Sequence, residues 1–459
     1  MGIIEGIKKG SREAIVGQLG KILEKNPEKN VDKLFSVAKK LSKDEDSKMA
    51  IKNIEDYYNE IPTVKEEIQD ILLNTNSNCL QKFFKNFLAD AIWNGVEMRQ
   101  KWMDREDTKI PFVILLSPSM RCNLRCSGCY AADYPKDQGL SFEQVDKIVG
   151  EARELGIHYM VVLGGEPFFV DYMYKIYEKY SDVMFTPFTN GTLFNDEIAE
   201  KLCKLGNVMP MFSLEGFEKE TDARRGKGVF DKVMNGMDLL KSRGIPFGVS
   251  SATTTHNMDI VTSDKFIDML IEKGARMSWY FIYMPVGEKP DIEVMLKPEQ
   301  RIELGRKVRN IRVTKPYFAI DFFNDAPYVG GCIAGKFYCH INSNGDVEPC
   351  IFAHIATDNV KEKNLIDVFR GGLFKELRMR QPYNKNMLRP CMMIDNPNVI
   401  REVAKKVNAH PTDKSAEAML NNEEFQEKLN NLAEEFKPYA DEAWKQDFDS
   451  KGNDEFSKG

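Results

Sequence analysis

Three of the nine cysteines, Cys122, Cys126 and Cys129, stand close together in the spacing C-x3-C-x2-C. Thiolates so near one another on one loop reach three corners of a cubic iron–sulfur cluster, and no fourth cysteine is close enough in sequence to complete the set. The iron left open can take a small chelating ligand, which makes such a cluster a reaction centre as well as an electron carrier. A structural zinc site is the competing reading. It fits the spacing less well, because thiolate zinc sites are closed and tetrahedral and draw their ligands as C-x2-C pairs. A second group, Cys332, Cys339, Cys350 and Cys391, lies far along the chain, while Cys79 and Cys203 have no partners in sequence and read as packing residues. The five histidines, at 158, 256, 340, 354 and 410, show no metal-ligand spacing. Nothing local supports a Ser-His-Asp or Cys-His mechanism.

Such loops need a scaffold, and from Ile110 the chain alternates short apolar runs with helical stretches, the pattern of βα units around a parallel sheet. Strands are predicted at Ile110–Ser117, His158–Leu163, Met184–Thr189, Met209–Leu214, Phe247–Thr253 and Met277–Tyr283. Helices are predicted at 141–155, 171–180, 196–205, 229–243, 263–273 and 298–312. Six repeats fall short of a closed (β/α)8 barrel, so the expected fold is α/β, a partial (β/α)6 TIM-type barrel with its functional loops after the carboxyl ends of the strands. The three-cysteine loop follows the first strand, where that rule puts reactive groups.

Residues 1–108 read as an N-terminal helical domain, 109–317 as the barrel, 318–397 as a small cysteine-bearing module and 398–459 as a polar helical tail with a disordered end, DFDSKGNDEFSKG. Leu80, Phe83, Phe84, Phe87, Leu88, Ala91 and Ile92 recur at helical spacing. Such a face normally packs on the next domain, and docking of a lipid or partner is the alternative. In the third segment Asn344-Gly345 predicts the turn of a short hairpin.

The formal charge of -6, with Lys+Arg 64 against Asp+Glu 70, leaves no basic excess to neutralise a polynucleotide, so nucleic acid is not an expected partner. The start, MGIIEGIKKGSREAIVG, has no signal-peptide apolar region, and Gly6 stands where a myristoylation pattern wants Ser or Thr. No apolar run approaches a membrane span. A cytoplasmic location is expected, where thiols stay reduced and clustered cysteines serve metals or catalysis.

The first loop, SPSMRCNLRCSGCY, resembles the radical S-adenosylmethionine (radical SAM) superfamily, and the likeness extends through the strand ends. Gly164-Gly165-Glu166-Pro167 after the second strand is similar to the superfamily's GGEP motif, which implies that these residues hold the methionine amino group of S-adenosylmethionine (SAM). Ser213-Leu214-Glu215-Gly216 after the fourth strand is similar to its ribose-contacting element, with Glu215 in place of the more usual Asp. Thr189-Asn190-Gly191, and 222–230 reading DARRGKGVF, share the pattern, implying cofactor roles for Asn190 and Arg225. The residue before the third cysteine, often aromatic and set against the adenine, is Gly128 here, and that contact passes to Tyr130.

Cys332, Gly345 and Cys350 resemble the opening of the SPASM and twitch extensions, which implies an auxiliary [4Fe–4S] cluster on Cys332, Cys350 and Cys391. Cys339, a nearby oxygen such as that of Asp395, or an iron left open to substrate completes the set. The resemblance as a whole implies an enzyme that reductively cleaves SAM at a [4Fe–4S] cluster to a 5′-deoxyadenosyl radical, fed by flavodoxin or ferredoxin. The radical then abstracts hydrogen from a peptide or protein, or from a lipid or small metabolite. A non-catalytic iron–sulfur carrier or scaffold is the alternative.

Overall fold

The computed structural model describes residues 27–41 and 45–449, so the helical reading of 1–26 and the disorder expected of the last ten residues lie outside it. Its centre is a nine-stranded sheet in the order β7-β6-β5-β4-β3-β2-β1-β8-β9. The strands are β1 Val113–Leu116, β2 Tyr159–Val162, β3 Met184–Thr189, β4 Met211–Ser213, β5 Gly248–Thr253, β6 Met277–Ile282, β7 Phe318–Asp321, β8 Tyr338–Ile341 and β9 Val347–Glu348. From β1 to β7 every neighbour is parallel, and β8 lies parallel to β1 on its other flank, with Leu116 opposite both Val162 and Ile341. The sheet does not close, as the repeat count implies.

The predicted strands and crossover helices all form. Buried parallel strands read as apolar runs because both faces are covered, and several of the helices begin where side-chain oxygens cap them. Ser141 and Gln144 make a reciprocal capping box for the helix Phe142–Glu154, while Asn195 and Ser263 cap Asp196–Leu205 and Asp264–Lys273. The sheet also carries a seventh in-order strand, β7, pairing with β6. It escapes a periodicity reading because it begins on Phe318, which is half exposed, and ends on Asp321, so no apolar run marks it.

The Phe-rich segment Phe83–Asn94 is a π-helix, and Phe87 packs edge-on against Phe112 and Tyr159, where the chain enters β1 and β2. The apolar face is thus divided: Phe87 meets the amino ends of the barrel strands, while Leu80, Phe84 and Leu88 pack with Val31, Phe35, Tyr58 and Leu72 of the preceding helices. Beyond β7, the β8–β9 hairpin turns at Gly345 with φ of 90°, the left-handed conformation expected of that Asn-Gly. The helices Pro397–Val407, Lys414–Asn421 and Glu423–Asp447 follow. One continuous apolar core runs from Ile114 and Val162 through Tyr338 and Phe369 to Val403. No helix among the described residues is long and apolar enough to cross a membrane.

Candidate active site

The cysteine loop leaves β1 at Ser117 and is held by the two loops that follow β2 and β3. Gly165 N–H donates to Ser119 O at 2.9 Å and Glu166 N–H to Arg121 O at 2.8 Å. A Cβ on Gly165 would lie 2.1 Å from Arg121 O, and one on Gly164, whose φ is +108°, 2.2 Å from Ser119 O. Both glycines are needed for the two backbones to meet. From β3, Asn190 Nδ2 donates to Asn123 Oδ1 at 2.9 Å and lies 3.7 Å from Cys122 Sγ, and Leu124 N–H donates to the same sulfur at 3.4 Å. Burial pushes the Cys122 and Cys126 thiols up, and the neighbouring cysteines of the loop add to it.

Glu166 is buried, with one oxygen accepting from Thr189 Oγ1 at 2.7 Å and Phe168 N–H at 3.2 Å and the other from Asn190 N–H at 2.8 Å. Burial outweighs these bonds and the nearby Arg225 charge, and pushes its carboxyl up to about 7. Pro167 opens the short turn Pro167–Phe169 behind it.

Ser213 ends β4, opposite Ser250, and Glu215 follows two residues on. The Glu215 carboxylate is already engaged: Oε1 accepts from Arg224 Nη1 at 2.5 Å and Arg225 Nε at 2.9 Å, and Oε2 from Ala252 N–H at 3.2 Å. Arg224 goes on to donate to the carbonyls of Ser127 and Gly128, and Arg225 Nη1 lies 4.0 Å from Cys126 Sγ. Both arginines are thus bound to the chain's own groups.

Tyr130 turns toward the second cysteine group, its ring centroid 6.2 Å from that of Phe352 and its hydroxyl against the Gly164 backbone. The space a side chain on Gly128 would fill holds the Tyr283 ring, whose Cε2 would be 2.6 Å from a Cβ there. Tyr283 comes from the end of β6, and nothing near Gly128 in sequence points to it.

In the second group the structure brings Cys332, Cys350 and Cys391 together around Tyr338 and Tyr383, whose hydroxyls all three sulfurs help to push up. Tyr338 OH donates to Cys350 Sγ at 2.8 Å, Phe352 N–H to the same sulfur at 3.5 Å and Met393 N–H to Cys391 Sγ at 3.3 Å. Cys339 is not brought to them. It lies in β8 opposite Ile114, fully buried, and burial alone raises its thiol. Nor is Asp395 free: its oxygens accept from Arg301 Nη1 at 2.5 Å and Nη2 at 2.9 Å, and Oδ2 also from Cys391 N–H at 2.9 Å.

Among the described residues no three His, Cys, Asp or Glu side chains converge as ligands of a single metal ion would, so the zinc alternative finds no constellation here. A cubane takes one thiolate per iron and suits wider spacing. Thiols met by N–H donors, with a guanidinium beside the first set, form a donor environment that fits such clusters at both places.

Two family models match the chain. The radical SAM superfamily matches residues 116–272, and the iron–sulfur cluster-binding SPASM domain matches residues 332–393. The chain thus carries a radical SAM domain and a SPASM domain, which imply a [4Fe–4S] cluster with SAM and auxiliary iron–sulfur clusters. Among its relatives, the AdoMet-dependent heme synthase of Methanosarcina barkeri is 24% identical over 302 residues, covering 59% of this chain and 86% of that one. The mycofactocin maturase MftC of Mycobacterium tuberculosis is 27% identical over 296 residues, 59% of this chain and 73% of that one. Streptococcus suis SuiB bound to the precursor peptide SuiA shares the fold, with a TM-score of 0.54 at 20% identity over 65% of this chain and 75% of that one.

Proposed function

We propose that this chain is a radical SAM enzyme that takes a hydrogen atom from a C–H bond of a polypeptide. The observation that carries the substrate class is a cavity of about 540 Å³ between the carboxyl end of β6 and the helix Glu423–Asp447, bounded by Ile282, Leu296, Ile394 and Leu432. It is an open groove of mixed character, whereas an acyl chain calls for a continuous apolar tunnel. Among its charged groups Asp291, Glu293 and Glu435 outnumber Lys297 and Lys428, since Arg301 is bound to Asp395. That balance repels a polycarboxylate such as a tetrapyrrole and tolerates a peptide.

The cluster with SAM supplies one-electron cleavage of the sulfonium, and with it the capacity to abstract hydrogen from an unactivated carbon. The chain's own residues do the rest. Glu166 and Asn190 orient the methionine end, Gly164 and Gly165 let the loop after β2 close on the cysteine loop, and Tyr283 walls that loop. With Cys339 and Asp395 engaged elsewhere, Cys332, Cys350 and Cys391 would hold the auxiliary cluster and would leave an iron for the substrate. Electrons come from flavodoxin or ferredoxin in a reducing cytoplasm. A mere carrier or scaffold has no use for the Glu166 pocket, and SAM binding by calorimetry separates the two.

Reduced, cluster-loaded protein is given SAM with either a deuterated peptide pool or a deuterated tetrapyrrole, and 5′-deoxyadenosine is read by mass spectrometry. Deuterium from the peptides is expected. Deuterium from the tetrapyrrole alone, or from neither while SAM is cleaved, overturns the reading.

A further inference from the structure

Beside Cys126 two guanidiniums share one carboxylate, and Glu166, the other buried acid that acts on Arg225, is held by three hydrogen bonds of its own. Glu215, 2% exposed at the end of β4, receives both Arg224 and Arg225, whose side chains are 20% and 12% exposed. Two guanidiniums against one carboxylate leave one positive charge over, buried beside the cysteine loop. Fixed charge in such a place is costly unless an anion meets it.

The arginines divide the contact between them. Arg224 grips the backbone: its Nε and Nη2 donate to Ser127 O at 3.2 Å and Gly128 O at 3.3 Å, and its own carbonyl accepts from Ser127 N–H at 3.1 Å. Arg225 places Nε and Nη2 on Glu215 at 2.9 and 2.5 Å, which turns Nη1 toward Cys126 Sγ at 4.0 Å. The first residue therefore fixes the loop, and the second faces the sulfur.

Three thiolates on a [4Fe–4S]²⁺ core sum to one negative charge, which the spare guanidinium matches, and reduction adds a second. We propose that Arg225 is a positioning residue that raises the reduction potential of the cluster held by Cys122, Cys126 and Cys129, and that Glu215 opposes it. A cation beside a ligating sulfur stabilises the more negative, reduced state, and hydrogen bonds to cluster sulfurs act in the same direction. The carboxylate aims the guanidinium and partly cancels its field. The inference rests on the cluster assignment and is independent of the substrate.

The two partners give opposite signs, which a merely structural role would not. The experiment is an EPR-monitored redox titration of the anaerobically reconstituted full chain, the first-loop cluster being identified by the change SAM makes in its spectrum. Arg225→Gln is expected to lower the reduced-to-oxidised ratio at fixed potential at least tenfold, about 59 mV for one electron. Arg225→Lys, which keeps the charge, recovers most of that loss. Glu215→Gln is expected to move the ratio the other way. Where Arg225→Gln holds no iron, Glu215→Gln carries the test, and a fall or no change in its potential overturns the proposal. So does a shift of both variants in the same direction, or an Arg225→Gln ratio within twofold of the parent.

Discussion

Gly165→Ala tests whether the site is built by the close approach of two loops. The added Cβ would stand 2.1 Å from Arg121 O, 2.4 Å from Arg121 C and 2.6 Å from Met120 C, all backbone atoms. An ordinary carbon contact needs about 3.5 Å, so one backbone must retreat by more than about 1 Å. Overpacking of this kind costs about 1–3 kcal/mol. The retreat also breaks the bonds from Gly165 N–H and Glu166 N–H to the 119–121 segment, at about 1 kcal/mol each. The total is about 3–5 kcal/mol, or roughly a 3–5 °C fall in Tm for a chain of this size. Because the segment that retreats leads into Cys122, iron bound at the first loop and SAM affinity fall with it. Gly372→Ala is the control: its Cβ meets Val407 Cγ1 at 3.5 Å at the start of the helix Gly372–Arg380, so its stability stays within about 1 kcal/mol of the parent. Calorimetric melting, iron assay and SAM titration on both variants decide the matter. A Gly165→Ala protein that melts, loads iron and binds SAM like the Gly372→Ala control would refute the reasoning.

Further substitutions address the remaining assignments. Cys332→Ala, Cys350→Ala and Cys391→Ala are each expected to cut bound iron by about half, from two cubanes to one, while Cys339→Ala leaves it unchanged. Equal iron loss in the Cys339 variant, by colorimetric assay, would restore that residue as a ligand. Asp395→Ala leaves the buried Arg301 guanidinium without its carboxylate and should cost about 3–5 kcal/mol, with Arg301→Met in the same chain recovering part of it; urea unfolding checks both. Glu67 has its carboxyl pushed up from 4.5 to about 7 by burial, so the folded state favours the protonated form. Its contribution is complete below pH 4.5 and is lost as pH rises toward 7, by about 3 kcal/mol at most. Glu67→Gln should therefore gain on the parent across that window, and parallel pH–stability curves would contradict it.

What the sequence disclosed was local. Buried parallel strands announce themselves as apolar runs, and motifs at strand ends keep their spacing, so the six predicted strands and the place of 164–167 after the second of them follow from short windows. What stayed hidden depends on distant pairing. Cys339 reads as a ligand candidate beside other cysteines until β8 is seen to pair with β1, which makes it a core residue. Asp395 reads as a spare oxygen until Arg301, far upstream, occupies it. The clearest case is Glu215. The pair Arg224-Arg225 was legible as cationic and near the site, yet only the turn of the helix Glu218–Arg225 back over β4 shows that both bind the chain's own carboxylate.

Distant pairing also explains how the two cysteine groups are held in register. Ser117 Oγ lies 2.7 Å from His340 Nε2, and His340 Nδ1 lies 2.6 Å from Glu348 Oε2, the serine–histidine–acid order of a hydrolase. All three are 0% exposed, so no substrate reaches the serine and the likeness is one of geometry alone. Glu348 Oε1 accepts in addition from Tyr134 OH at 2.7 Å and Asn342 Nδ2 at 2.8 Å. A buried polar network satisfied on this scale specifies one arrangement, because any slip strands a charge or a donor in the core. Its ends are the residue that launches the first cysteine loop and the residue two positions before Cys350. Tyr134, which packs with Cys129 and Tyr130, joins the far side of that loop to the same carboxylate. The spacing of the two sites is therefore set by a hydrogen-bonded frame of the protein itself, which the Tyr130–Phe352 ring contact bridges.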